Sequence, residues 1–218
     1  MTDPRKRVTP DGSLIAASGR DCLMMGNRGT LRPIHYTRTP PAEPSQNWIA
    51  CVIKDKDGIP IRENPDRPLK YTKLFFLDEV TAFAAGHRPC GGCQHQRYKD
   101  FKAAWATANN MPKELMDPTI RGECLSKNSE GERPVVVAKL GDLPGGTMVR
   151  PTHLGAPHLW FSGKLLPWSA SGYGQSAGSP ASAEVEVITP MSIVRVLQAG
   201  FPLDKEYSIH ESALAEVA

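Results

Sequence analysis

Cys90 and Cys93 stand with two residues between them in the segment Gly86-His87-Arg88-Pro89-Cys90-Gly91-Gly92-Cys93. A tight turn at that spacing lets both thiolates converge on one cation at the ~2.3 Å of zinc–sulfur bonding. Gly91 and Gly92 fill the turn, where they permit positive φ and leave room for backbone N–H groups to point at sulfur, which helps hold both thiolates deprotonated. Pro89 stiffens the approach. A four-coordinate site needs further ligands, and the chain offers Cys51, His87, His35, Cys22 and His95. Cys51 leads them, because a neighbouring strand would present it beside the turn, although a free cysteine there equally serves as a small core hydrophobe. His87 is close in sequence, and a histidine at that point equally serves to hydrogen-bond the end of a helix. The cofactor these residues predict is zinc.

Other chemistry competes for the same residues. A Cys-x-x-Cys at a helix N-terminus suits thiol–disulfide exchange, with thiolates favoured by the helix dipole and by Arg88. That chemistry usually sits in a βαβ frame, whereas here a short helix precedes the pair. On the helix that follows, His95, Lys99 and Lys102 recur at i, i+4 and i+7, with Arg88 and Arg97 nearby. This stripe is a candidate for contacts to DNA or RNA phosphates, or else a solvated flank. His153 and His158 flank a Gly-Ala-Pro turn and are candidates for a ligand. Trp160, Trp168 and Tyr173 would stack on bases or fill a core. Neither His-Glu-x-x-His nor Gly-x-x-x-x-Gly-Lys occurs, so the zinc-protease and phosphate-loop motifs are missing.

The elements that must position these residues follow from periodicity. Trp48 to Lys54 reads as a strand carrying Cys51, closed by an Asp57-Gly58 turn. Tyr71 to Leu77 reads as a second strand, and its Leu-Phe-Phe-Leu run predicts burial on both faces. Asp78 is placed as an N-cap, Val80, Phe83 and Ala84 fall at helical spacing, and Gly86 is placed to close the helix in a left-handed conformation. Tyr98, Phe101, Trp105 and Ala108 mark the buried stripe of a longer helix ending before Pro112. Asn110 to Arg133 reads as a polar connector. Beyond it, Val135 to Leu140, Leu159 to Phe161 paired with Lys164 to Leu166, and Val185 to Val187 read as strands. Ser169 to Ser182 reads as a mobile loop, and Thr189-Pro190 as the cap and first residue of a helix that Gly200 closes. The first forty residues read as loops, with Arg5 to Arg7 as a basic arm and Gly26-Asn27-Arg28-Gly29 as a turn or close backbone approach.

With the helix and its turn in view, the run from Phe76 to Cys93 resembles the second half of the Ada-type metal-binding domain. In that domain a helix leads into a Gly-aromatic-Arg-Pro-Cys-x-x-Cys turn. The resemblance covers about twenty residues and implies a zinc site; the family's domain holds zinc on four cysteines. In its DNA-repair members one zinc-bound cysteine takes a methyl group from a DNA phosphotriester. The family's first cysteine pair has no counterpart here, where Cys51 stands alone, so the resemblance does not carry the methyl-acceptor activity over. The rest of the chain resembles bacterial proteins that combine the Phe-Leu-Asp-Glu and Gly-His-Arg-Pro-Cys segment with a Trp-Ser-x-x-Gly-Tyr element, here Trp168 to Tyr173. That resemblance implies no function.

The expectation is an α+β protein: a loop-rich basic arm over 1–45, a small zinc-binding α/β module over 46–112, and a β-rich portion over 134–218 with a C-terminal helix. At 218 residues the chain can bury a core without relying on metal or disulfides. Twenty prolines and nineteen glycines predict short elements. The net charge of +3 is uneven: residues 1–40 carry seven basic side chains against three acidic ones, and residues 184–218 two against six. The odd set of five cysteines and the lack of an apolar stretch behind the N-terminus predict a reducing, cytoplasmic setting, and no run suits a membrane span. The reading that follows is a zinc protein associated with DNA or RNA, its metal mainly structural, with a thiol- or zinc-dependent enzyme using Cys90 and Cys93 as the alternative.

Overall fold

The computed structural model describes residues 5–17, 21–28, 47–53, 73–126, 134–152, 154–176, 178 and 180–218. The expected turn at Asp57-Gly58, and His35 and His153, lie outside these residues. The architecture is α+β, with two six-stranded sheets.

The first sheet contains β1 (Arg5–Val8), β2 (Leu14–Ala17), β3 (Met24–Arg28), β4 (Trp48–Val52), β5 (Leu74–Phe76) and β6 (Arg88–Pro89), in the order β2-β1-β5-β3-β4-β6. Three of these strands, β1 to β3, overturn the loop reading where residues 5–8, 14–17 and 24–28 are concerned. Arg5-Lys6-Arg7-Val8 shows no apolar alternation, and its strand is made by partners instead: β2 on one side and the distant β5 on the other. Gly26 likewise lies inside a strand rather than in a turn. A Cβ there would stand 2.1 Å from the Ile49 carbonyl oxygen, so the close backbone approach was the correct reading of that glycine. Strand side chains alternate between faces. Val8, Met24, Ala50, Leu74 and Phe76 share the face that packs against α1 (Glu79–Ala84), and Cys51 points to the other face.

Helix α1 forms where its capping residue predicts. Asp78 accepts hydrogen bonds from the Thr81 backbone N–H at 2.9 Å and the Thr81 hydroxyl at 2.6 Å, and Gly86 has φ of +78°. All six residues of the helix are buried. Leu77, Val80 and Ala84 pack against Met148, Leu159 and Leu166 of the second sheet, while Phe83 joins Phe101 and Trp105. Burying a side chain such as Phe83 contributes ~1.5–3 kcal/mol.

The second sheet is antiparallel: β7 (Val136–Lys139), β8 (Thr147–Pro151), β9 (His158–Phe161), β10 (Lys164–Ser169), β11 (Gly172–Tyr173) and β12 (Glu184–Val187), in the order β11-β10-β9-β8-β12-β7. The β9–β10 pairing matches its expectation, and Gly172–Tyr173 replaces part of the expected mobile loop with a strand. Around the sheets lie α2 (His95–Asn109), α3 (Met116–Leu125), α4 (Met191–Gln198) and α5 (Glu211–Val217). Helix α3 lies within the expected polar connector. Only Met116 and Ile120 reach its core side, and Pro118 and Gly122 dilute the pattern. At α4, Pro190 occupies the N-cap, and the Thr189 hydroxyl instead accepts from the Met148 backbone N–H at 2.9 Å.

A buried polar network joins the two sheets through α1. Tyr173 donates its hydroxyl to Asp78 at 2.9 Å, the His210 backbone N–H donates to the same carboxylate at 3.0 Å, and Trp168 Nε1 donates to the Thr81 hydroxyl at 3.1 Å. Burial pushes the Asp78 carboxyl up and the Tyr173 phenol well up. The Phe-Leu-Asp-Glu and Trp-Ser-x-x-Gly-Tyr segments, distant in sequence, therefore meet in one network.

Candidate metal centre

Strand pairing assembles the centre. Strands β4 and β6 run parallel with Ala50 opposite Pro89, so the next residues, Cys51 and Cys90, are neighbours. The Cys90 backbone N–H donates to the Ala50 carbonyl at 2.9 Å, and Gln94 Nε2 donates to the same oxygen at 3.0 Å. The turn then brings Cys93 round, and the Sγ atoms of Cys51, Cys90 and Cys93 all lie within 4.8 Å of one another. Cys51, Cys90 and Cys93 are not joined by disulfides. The three form the one such ligand group among the described residues.

The backbone is aimed at sulfur. The N–H groups of Cys93 and Gly92 hydrogen-bond Cys90, and that of Val52 hydrogen-bonds Cys93. Hydrogen bonds from Cys51 and then Cys93 hold Cys90 down to about 2. Cys51 is pushed far up by sharing protons with Cys90 and Cys93 and by burial. Cys93 receives a bond from Cys51 that favours its thiolate, but Cys90 and burial outweigh it and its thiol is raised. Sulfurs this close share protons unless a cation stands among them, and a divalent cation would let all three ionise.

The glycines of the turn have a different role from the one expected, since neither has positive φ. Gly91 makes room for a ring: a Cβ there would meet Tyr98 Cδ1 at 3.1 Å. At Gly92 the nearest atom would be Cys90 Sγ at 3.7 Å, an ordinary contact.

The other proposed ligands are placed elsewhere. His87 lies on the α1 side of the sheet, fully buried between Trp48 and Phe76 at ring distances of 5.4 and 4.6 Å. It does not join the sulfurs, because Cys90 follows three positions along the chain, past Arg88 and Pro89 of β6, and an odd step along extended backbone puts the two side chains on opposite faces. Burial holds its imidazole well below the usual value. Cys22 is buried outside the group, and His95 is exposed with Nδ1 3.3 Å from the Gly91 carbonyl.

Of the proposed phosphate contacts, two are committed to the interior. Arg88 forms a two-pronged bond to Asp117 at 2.8 and 3.2 Å and stacks 4.6 Å over Tyr98, which locks the turn to α2 and α3. Arg97 is 7% exposed and binds Glu79, itself 1% exposed, at 2.6 and 2.5 Å. Lys99 is exposed, and Lys102 lies 5.8 Å from the Tyr98 ring. His158 is buried with Nδ1 2.9 Å from the Ala156 carbonyl. Trp160 and Trp168 use their indole N–H groups internally, and Tyr173 is buried, so these rings belong to the core rather than to a base-stacking surface. Gln94, Val52 and Asp117, which frame the centre, carry no sequence signal of their own, because their roles depend on contacts between distant segments.

Fold and site together define an α+β protein with a three-cysteine group placed to hold a metal. Compared with family models, curated proteins and solved structures, the chain matches none. Among the described residues no helix is long and apolar enough to cross a membrane.

Proposed function

We propose that this is a zinc protein in which Cys51, Cys90 and Cys93 hold a mainly structural ion that ties β4 to the turn before α2. The observation that carries the reading is three sulfurs within 4.8 Å with backbone N–H groups directed at two of them. The donor set favours zinc, since thiolate ligands select soft or borderline ions and disfavour magnesium and calcium. The resemblance of residues 76–93 to the Ada-type turn supports the same ion. Metal analysis of the purified chain tests it: one zinc per chain is expected, lost in Cys51→Ser and in Cys90→Ser. Metal-free protein with a reversible Cys90–Cys93 disulfide would replace this reading with thiol–disulfide chemistry.

A zinc- or thiol-dependent enzyme is the second reading. It is favoured by a ligand count of three among the described residues, the number found in catalytic zinc sites that keep a position for water or substrate, and by the exposure of Cys93. Cobalt-substituted protein separates the two: an absorption change on adding a small exogenous thiol supports the enzyme, and an unchanged spectrum supports a closed structural site.

Association with DNA or RNA rests on the exposed His95 and Lys99 beside Lys102 on α2, where contacts would reach phosphates without reading sequence. Such binding weakens steeply between about 50 and 200 mM salt. Absent or salt-independent binding removes this part of the reading.

A further inference from the structure

Of the three sulfur ligands, one side chain is open to solvent. Cys93 is exposed, whereas Cys51 and Cys90 are half-buried, so a reagent arriving from water meets Cys93 first. The three Sγ atoms lie within 4.8 Å of one another, and a reaction at Cys93 therefore takes place beside two further nucleophiles.

Those two neighbours are held differently. Cys51 sits inside β4, which is paired with β3 on one side and β6 on the other. Cys90 shares one short turn with Cys93. The Gln94 backbone N–H donates to the Cys90 carbonyl at 2.9 Å, and neither glycine between the cysteines has positive φ, so the turn has the hand of an α-helix. Such a turn sets Cα atoms three residues apart at about 5 Å, inside the ~4.4–6.8 Å that a disulfide spans. The turn also has room to adjust, since a Cβ at Gly92 would meet Cys90 Sγ first, at 3.7 Å. Chemistry that joins two of the sulfurs is therefore directed to Cys90 and Cys93, with Cys51 left in its strand.

We propose, building on the zinc reading, that the centre is a redox switch in which a hydroperoxide oxidises Cys93 and Cys90 to a disulfide and expels the ion. The Cys93 thiolate attacks one peroxide oxygen; an S–O bond forms as the O–O bond breaks, and the departing hydroxide or alkoxide takes a proton from solvent. The Cys90 thiolate then attacks the Cys93 sulfur; the S–S bond forms, the S–O bond breaks, and the oxygen leaves as hydroxide, which also takes a proton from solvent. The two sulfurs together give up the two electrons that reduce the peroxide. A disulfide sulfur is no longer a thiolate ligand, so the ion keeps Cys51 alone of the three and dissociates. Strand β4 is then untied from the turn, while the disulfide and the Arg88–Asp117 pair keep the turn closed.

The test treats the zinc-loaded full chain, freed of reductant, with a small molar excess of hydrogen peroxide. A zinc-binding dye follows released metal, and peptide mass spectrometry maps the disulfide. Zinc content before the addition reads the zinc site itself: protein without zinc refutes that reading and the switch with it. With one zinc bound, the expected result is loss of that zinc, a Cys90–Cys93 disulfide, and recovery of the loaded protein on adding thiol reductant and zinc. Dimedone present from the start should trap sulfenate on Cys93 rather than on Cys90. Cys124→Ser, which removes a half-buried thiol outside the centre, should release zinc at the same rate. Zinc retained by the treated protein overturns the switch and leaves the zinc site standing. A disulfide involving Cys51, release that requires Cys124, or loss that reductant and zinc do not reverse also overturns it.

Discussion

Replacing Arg97 by methionine should destabilise the protein by about 3–5 kcal/mol, the cost of stranding a buried charge, against a total of ~5–15 kcal/mol for a domain. The magnitude follows from what remains around Glu79. In the intact protein its carboxylate receives two guanidinium hydrogen bonds, at 2.6 and 2.5 Å, and one from the Ser208 hydroxyl at 2.8 Å. Arg97→Met leaves only Ser208 facing a carboxylate that is 1% exposed. The reverse substitution, Glu79→Gln, should cost less, ~1–3 kcal/mol, because Arg97 keeps the Pro202 carbonyl at 2.8 Å, Asp204 at 3.6 Å and the face of Phe201 at 4.6 Å. The double variant removes both charges together and should be more stable than the two separate losses added, by at least about 1 kcal/mol. Urea unfolding of the metal-loaded protein, followed by circular dichroism with an unchanged m value, reads all three differences. A loss below about 1 kcal/mol for Arg97→Met, or simple additivity in the double variant, would refute the reasoning. A stable Arg97→Met protein that had lost nucleic-acid binding would restore Arg97 as a phosphate contact.

His87 should make the protein acid-sensitive. Its folded pKa is depressed, chiefly by burial and then by Arg28, so below about 6.5 the unfolded chain binds a proton that the folded chain refuses. Stability should therefore fall as pH drops below that value, by up to ~1.4 kcal/mol per unit, and His87→Leu should lack this component in unfolding measured from pH 7.5 to 5. An identical pH profile for the two proteins would contradict the burial argument. Gly92→Ala should leave zinc content and melting nearly unchanged, whereas Gly91→Ala, which pushes on the Tyr98 ring at 3.1 Å, should lower both stability and metal affinity. Equal sensitivity at the two positions would show that the turn needs glycine for its backbone rather than for space. Gly86→Ala combines positive φ with a 2.5 Å encounter at Cys124 and should cost ~2–4 kcal/mol, read as a shift in the urea midpoint. A smaller loss than Gly91→Ala would argue against the cap.

Some of this protein is written locally, and the sequence determined it unaided. Asp78 and Gly86 bracket α1 because a cap and a left-handed glycine act within a few residues. The Cys90–Cys93 turn and the Phe101–Trp105 stripe are legible for the same reason. What tertiary structure alone decided depends on partners far along the chain. Strand β1 is held by β5 nearly seventy residues away, and α3 is buried through two side chains. Cys51 reaches the centre while His87 does not, because the register sets Cys51 beside Cys90, whereas His87, three positions earlier, falls on the opposite face. The charges of Arg88 and Arg97 read as a surface stripe in sequence, but Asp117 and Glu79 draw them inside. Spacing could nominate the pair of cysteines; only the register of β4 against β6 could supply the third.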